Sequence, residues 1–229
     1  MTLAPVKVLS SMAAREVLAE LIRGFPAQTG QPVAAEAAGG VDVAKRIQAG
    51  DDADVVVLSD TAIDKLIAAG LLAAGRVDLV KSGVAIAVRS GAGRPDVSTE
   101  AAVQAAVLAA STLSYSTGPS GVYLEQLFAR WGILESIRSR IVVPPPGVPV
   151  ASLVASGKAA LGFQQLSELL NVAGIEVLGP LPAAIQSITT FSAGISVRCQ
   201  QPQVALQLLN YMRLPGATVV KHRYGMEPV

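Results

Sequence analysis

Apolar residues fall into two alternating rhythms along this chain. Short apolar runs at residues 6–9, 33–37 and 54–58 predict buried strands, while the positions between them recur at helical spacing. Val17, Leu18, Leu21 and Ile22 mark a first helix, which the stretch from Phe25-Pro26 to Gly30 breaks. Gly39-Gly40 opens a second helix that runs through Ile47 and stops at Gly50. Ser59-Asp60 supplies an N-cap for a third over residues 63–69, ended by Gly70. Three β-α units in succession predict a parallel sheet covered on both faces, hence an α/β fold.

The second half keeps the alternation with more turns. Residues 77–88 read as a long strand pair or crossing segment, and Ser98-Thr99-Glu100 starts an Ala-rich helix. A strand at 113–115 leads into the turn Ser116-Thr117-Gly118-Pro119-Ser120-Gly121 and a helix at 122–131. Further strands are predicted at 141–143, 159–163, 175–178 and 188–197, and further helices at 150–155, 166–170 and 204–212. The run Pro144-Pro145-Pro146 bends the chain, and Gln164-Gln165 sits where a strand turns into a helix. No repeat or linker interrupts this, so a domain boundary has to come from topology.

Composition narrows the chemistry. Half of the 229 residues are hydrophobic and only 4% aromatic, which suits parallel strands under Ala/Leu-rich helices. A net charge of +1 with scattered cations argues against nucleic acid as a partner, and Lys221-His222-Arg223 reads as a solvated, mobile tail. Cys199 is the single cysteine, read as an inert, half-buried thiol, and His222 the single histidine; no zinc or other metal site and no cofactor is expected. No run approaches the ~18 apolar residues of a membrane span. Met1 leads almost directly into a strand, so the sequence as given predicts a cytoplasmic protein, or a periplasmic one if a leader has been removed from it.

Four strand-to-helix turns are small or polar: Ser10-Ser11-Met12, Ala38-Gly39-Gly40, Ser116 to Gly121, and Gln164-Gln165. In open α/β sheets ligands bind beyond the carboxyl ends of strands, where helix N-termini present unpaired N–H groups to anions. Any one such turn is more often an ordinary cap, but four in series predict a site for a small anion. The candidate residues are Ser10, Ser11, Gly39, Gly40, Ser116, Thr117, Gly118, Ser120, Gln164 and Gln165. The glutamines offer donors and acceptors together, which suits a carboxylate plus a hydroxyl. Arg15, Lys45, Arg46 and Arg89 are expected to be exposed or ion-paired, and Tyr123 and Trp131 to pack in a core. Asp60 reads as a helix cap; Glu36 and Asp54 are the carboxylates nearest these turns, with no visible partner, and the sequence singles out no general base.

Leu9 through Leu18, residues 37–60 (AAGGVDVAKRIQAGDDADVVVLSD), 116–133 (STGPSGVYLEQLFARWGI) and 159–169 (AALGFQQLSEL) resemble the molybdate-binding branch of the type II periplasmic binding proteins. That resemblance covers nearly the whole chain. It implies two α/β lobes, residues 1–82 plus 189–229 and residues 83–188, joined by two crossing strands and closing by a hinge over an oxyanion or carboxylate. Molybdate binders usually place serines in the first and second loops; here Ser11, or Ala13 in an ungapped register, takes the first place and Gly39-Gly40 the second. A tyrosine usual after the fifth-strand turn is replaced by Gln165. Fewer hydroxyls and more amides favour a larger ligand, a tricarboxylate or dicarboxylate, over a tetrahedral oxyanion.

The same branch includes aconitate isomerases, which residues 162–169 (GFQQLSEL) and 189–194 (TTFSAG) resemble. Two readings stay open. One is a solute-binding protein of the kind that serves ABC transporters, with a transport permease as partner only if it is exported. The other is an isomerase moving a proton along a tricarboxylate, which requires a base near the substrate C–H. A ligand-sensing domain of a transcriptional regulator shares the architecture but would carry a DNA-binding helix pair, and none precedes these residues.

Overall fold

The computed structural model describes residues 3–145 and 147–229; Met1, on which the leader expectation rests, and Pro146 of the proline run lie outside the described residues. The chain divides into two compact units, Met1–Ser82 with Thr190–Val229 and Gly83–Thr189. It passes from one to the other twice, each time inside a strand: β4 (Val77–Arg89) and β8 (Ile188–Ile195).

In the first unit β1 (Val6–Ser11) pairs in parallel with β2 (Val33–Ala38) and β3 (Val55–Ser59), and β8 joins antiparallel beside β3. Strand side chains alternate between faces, so runs apolar at every position need a core on each side. Val6, Val8, Val55 and Val57 face one core with Val17, Leu18, Leu21 and Ile22 of α1 (Arg15–Arg23). Leu9, Val56 and Leu58 face the other with Val43 and Ile47 of α3 (Gly40–Gln48) and Ile63 and Leu66 of α4 (Asp60–Ala68). Burying each such side chain contributes about 1.5–3 kcal/mol. Both faces are filled, as the apolar runs predict.

Three local expectations need correction here. The break after α1 is a five-residue helix, α2 (Phe25–Thr29), because Pro26 fits a first helical turn; Gly30, at φ 72°, ends it. Ser59 makes no side-chain cap to α4; instead Asp60 Oδ1 accepts the Thr61 N–H at 2.7 Å. The C-terminal stretch is not a solvated tail. Past α10 (Pro202–Tyr211), Lys221 is buried in α11 (Ala217–Arg223), and β9 (Glu227–Pro228) pairs with Val80 and Lys81. Basic residues on the exposed side of that helix hide its buried face from a charge-based reading.

The second unit is built on the other part of β4, which pairs antiparallel with β6 (Leu161–Gln165) and β7 (Ile175–Pro180); β5 (Leu113–Tyr115) runs parallel beside β6. Val84, Ile86 and Val88 pack with α5 (Glu100–Ala109) and α6 (Pro119–Arg130), while Ala85 and Ala87 meet Ala151 of α8 (Val150–Ala155) and Leu169 of α9 (Leu166–Leu169). Between α6 and α8 lies a short helix, α7 (Leu134–Ile137). Residues 141–143 form no strand. Ile141 makes a single parallel bridge to Leu113, and Ser114 Oγ donates to the Val142 carbonyl at 2.8 Å, before the prolines remove further donors. Tyr123 and Trp131 pack on this core as expected, with Tyr123 OH donating to Ile185 O and Trp131 Nε1 to Glu100 Oε1, each at 2.7 Å.

Candidate functional site

In the first unit Ser10 and Ser11 end β1 and sit in register with Ala37 and Ala38 of β2. Gly39, extended at φ −56° and ψ 137°, turns β2 into α3, and Gly40 is that helix's first residue. A Cβ on Gly40 would lie 3.8 Å from Ser11 Cβ, so these two loops are in contact. Both serines are buried. Ser10 Oγ reaches the Glu36 carbonyl only at 3.5 Å, the limit of a hydrogen bond, and Ser11 Oγ has no partner. The neighbouring turn after β3 adds hydroxyls that the sequence reading did not select, Ser59 Oγ and Thr61 Oγ1, 3.3 Å apart.

In the second unit β5 and β6 run parallel with Tyr115 opposite Phe163, which brings the ends of both strands side by side. The turn after β5 folds on itself: Ser116 Oγ lies 3.0 Å from Ser120 Oγ and accepts the Gly118 N–H at 3.3 Å. One hydroxyl of such a pair donates to the other, leaving a hydrogen for a further acceptor. Gly121 makes the turn sterically accessible, since a Cβ there would sit 1.6 Å from the Ser116 carbonyl oxygen. Thr117 is exposed. At the end of β6, Gln164 Nε2 donates to Glu168 Oε1 at 2.7 Å and Gln165 Nε2 to Thr189 Oγ1 at 2.8 Å. Their carbonyl oxygens, and the hydroxyl of Ser167, are buried without a partner.

Five buried side-chain polar atoms lack a partner among the described residues, and four belong to these strand ends: Ser11 Oγ, Gln164 Oε1, Gln165 Oε1 and Ser167 Oγ; the fifth is Ser82 Oγ. Leaving a buried donor or acceptor unpaired costs about 1–3 kcal/mol, and folded proteins seldom carry many. Such atoms gathered at one kind of place ask for a ligand or water to complete them.

The carboxylates weighed from sequence do have partners. Glu36 pairs with Arg46, whose hydrogen bond holds its carboxyl below the usual range, and Arg46 also bonds Asp51 at 2.8 Å. Asp54 accepts the Lys7 backbone N–H at 2.9 Å at the start of β3, the end away from the turn. Glu168, in the short helix α9 that follows β6, is the carboxylate the sequence reading passed over. Of the cations, Arg15 pairs with Glu16 at 2.7 Å, while Lys45 and Arg89 are exposed. Burial pushes the Cys199 thiol up to about 11, which leaves it protonated at neutral pH.

Comparison with known proteins gives one family model, described as bacterial extracellular solute-binding protein, matching residues 6–227. Aconitate isomerase from Pseudomonas sp. is 39% identical over 191 residues, 82% of this chain and 72% of that protein. Among solved structures, the Azotobacter vinelandii periplasmic molybdate-binding protein aligns over 96% of this chain and 98% of its own, at 23% identity and a TM-score of 0.81. The sulfate-binding protein SubI from Mycobacterium tuberculosis aligns over 99% of this chain and 87% of its own, at 15% identity and a TM-score of 0.80. These two structures share the fold of the type II periplasmic binding proteins with this chain.

Proposed function

Because this chain belongs to the bacterial extracellular solute-binding protein family, we propose that it binds a small carboxylate-bearing anion, with the ends of β1 and β2 in the first unit and of β5 and β6 in the second as the candidate binding surfaces. The observation that carries this is the set of four unpartnered buried atoms there, two of them amide carbonyls. Hydroxyls and first-turn N–H groups receive carboxylate oxygens, as the helix dipole favours. A sulfate- or molybdate-like dianion offers acceptors alone and leaves the Gln164 carbonyl unmet, whereas a hydroxyl-bearing tricarboxylate such as citrate has an O–H that can donate to it. The family is described as extracellular, and the proposal includes export, which cell fractionation tests.

A thermal-shift panel decides the ligand class. A ligand at ~100 times its Kd stabilises the folded state by about 2.7 kcal/mol. Citrate, trans-aconitate or a dicarboxylate is expected to raise Tm, while molybdate, tungstate and sulfate leave it unchanged. A shift with the oxyanions alone would reverse the assignment, and no shift with any of them would remove the binding reading.

The 39% identity to an aconitate isomerase supports a second reading on the same site, that the bound tricarboxylate is isomerised. Proton NMR of trans-aconitate in deuterated buffer is expected to show conversion or deuterium uptake. Neither, at enzyme-level protein concentration over hours, rejects catalysis on that substrate.

A further inference from the structure

Ser82 Oγ is the one of the five unpartnered buried atoms that lies away from the strand-end turns, and it stands where the chain changes unit. Inside β4 the first unit ends at Ser82 and the second begins at Gly83. The strand is held close to that boundary on each side. In the first unit β9 pairs with β4, Pro228 opposite Val80 and Glu227 opposite Lys81, and Met226 just before β9 is fully buried in the core. In the second unit the Gln186 side chain takes hold of Val84. Its Oε1 accepts the Val84 N–H at 3.0 Å and the Ser187 N–H at 2.9 Å, while its Nε2 donates to the Val84 carbonyl at 3.1 Å and the Leu181 carbonyl at 3.3 Å. Two donors and two lone pairs are all that an amide has, so its orientation is fixed. Gly83 lets this amide approach: a Cβ there would lie 3.0 Å from Gln186 Nε2 and 3.1 Å from its Cδ. That leaves Ser82 and Gly83 between the two holds. The second passage repeats the plan, with Thr189 bonded to Gln165, Phe191 paired with Ser59, and Thr190 between them.

Ser82 is 2% exposed, and its hydroxyl has lost water without gaining a partner. An alanine would avoid that penalty, so the serine disfavours the arrangement in which the orphan occurs. A turn of the backbone at Ser82–Gly83 that brings Oγ to a carbonyl or to water removes the penalty, and glycine widens the range of such turns. We infer that Ser82–Gly83 is the joint at which the first passage bends, and that the Ser82 hydroxyl is a built-in bias that keeps a second arrangement of this joint populated. Gln186 and β9 confine the bending to these two residues.

Pulsed electron paramagnetic resonance on the full, ligand-free chain tests this. Spin labels are attached at two exposed helix positions, Lys65→Cys in the first unit and Ala105→Cys in the second, in a Cys199→Ser background. The parent is expected to give two distance populations. Ser82→Ala removes the orphan from one of them and is expected to change their ratio at least about fivefold. A single population, or a smaller change in the ratio, overturns the inference. Gln186→Leu frees Val84 and is expected to broaden both populations; unchanged widths overturn the part given to Gln186. A last arm rests on the binding reading above. The population that citrate or trans-aconitate enriches is the competent one, and Ser82→Ala is expected to change Kd by the factor by which it changes that population, a larger population giving a lower Kd. A changed ratio with an unchanged Kd overturns the link to binding. A parent that binds neither ligand removes the binding reading, and the ligand-free distances still decide the joint.

Discussion

The Gln165 side-chain amide donates to the Thr189 hydroxyl at 2.8 Å, and the contact ties the end of β6 to the last residue of the second unit. A hydroxyl can also donate, so the same contact permits the Gln165 amide to turn over and present its NH₂ to a ligand oxygen. Gln165→Leu is expected to weaken carboxylate binding at least about tenfold, the worth of a hydrogen bond to a charged group, with about 1 kcal/mol lost in stability from the stranded Thr189 hydroxyl. Adding Thr189→Val removes that orphan and restores the melting temperature but not the binding. Calorimetry with citrate or trans-aconitate beside thermal melts of both variants checks it; a double variant no more stable than Gln165→Leu counts against it.

Ser11 and Gly40 separate function from stability in the first unit. Ser11 Oγ is buried and unpaired, so Ser11→Ala is expected to leave stability unchanged or slightly improved while weakening ligand binding about tenfold. An alanine at Gly40 meets Leu58 Cδ2 at 3.7 Å and Ser11 Cβ at 3.8 Å, which is ordinary contact, so Gly40→Ala folds normally. Its methyl covers the hydroxyl below it, and binding falls in parallel. Unfolding curves alongside ligand titrations measure both; undiminished affinity in the two variants removes Ser11 from the site.

Gly121 is the opposite case. A Cβ placed there would overlap the Ser116 carbonyl oxygen at 1.6 Å, and backbone cannot move aside cheaply. Gly121→Ala is expected to cost at least about 2 kcal/mol, or a drop of roughly 4–8 °C in Tm for a chain of this size. Binding is lost as well, because the turn that sets the Ser116–Ser120 pair opens. A variant that melts with the parent would show that the turn tolerates a side chain.

Cys199 gives a pH signature. Burial raises its thiol from an ordinary value near 9 to about 11. Between those values the unfolded chain has lost the proton that the folded chain keeps, so this group's stabilisation is intact below about pH 9 and declines toward pH 11. Alkylation of the native protein at pH 8 is expected to be slow and to quicken on unfolding in urea. The parent should lose stability over that alkaline window relative to Cys199→Ser; parallel curves would contradict the shifted thiol.

Much of the fold was legible because both rhythms of burial were written in the chain. Val55, Val56 and Val57, each fully buried, can only be a strand with helices on both faces, and the glycines after the helices mark their ends through left-handed backbone, as at Gly50 and Gly70. Residues 141–143 have equal strand propensity but find Leu113 as partner at only one position before the prolines, so propensity misled where pairing was missing. The C-terminal helix misled for the converse reason: Lys221 reads as a surface residue, yet the whole side chain is buried.

By itself the sequence determined the order of elements, the two-sided sheets and the small, polar turns at strand ends, since these depend on local periodicity and on residues with special backbone freedom. Only the tertiary structure decided which polar atoms were already spent. Glu36 and Asp54, attractive in the sequence, are engaged by Arg46 and the Lys7 N–H, whereas Ser11, Gln164 and Gln165 keep buried atoms unpaired and Glu168 stands beside one of them. Hydrogen-bond satisfaction is a property of neighbours brought together from distant positions in the chain, and no spacing along the chain encodes it.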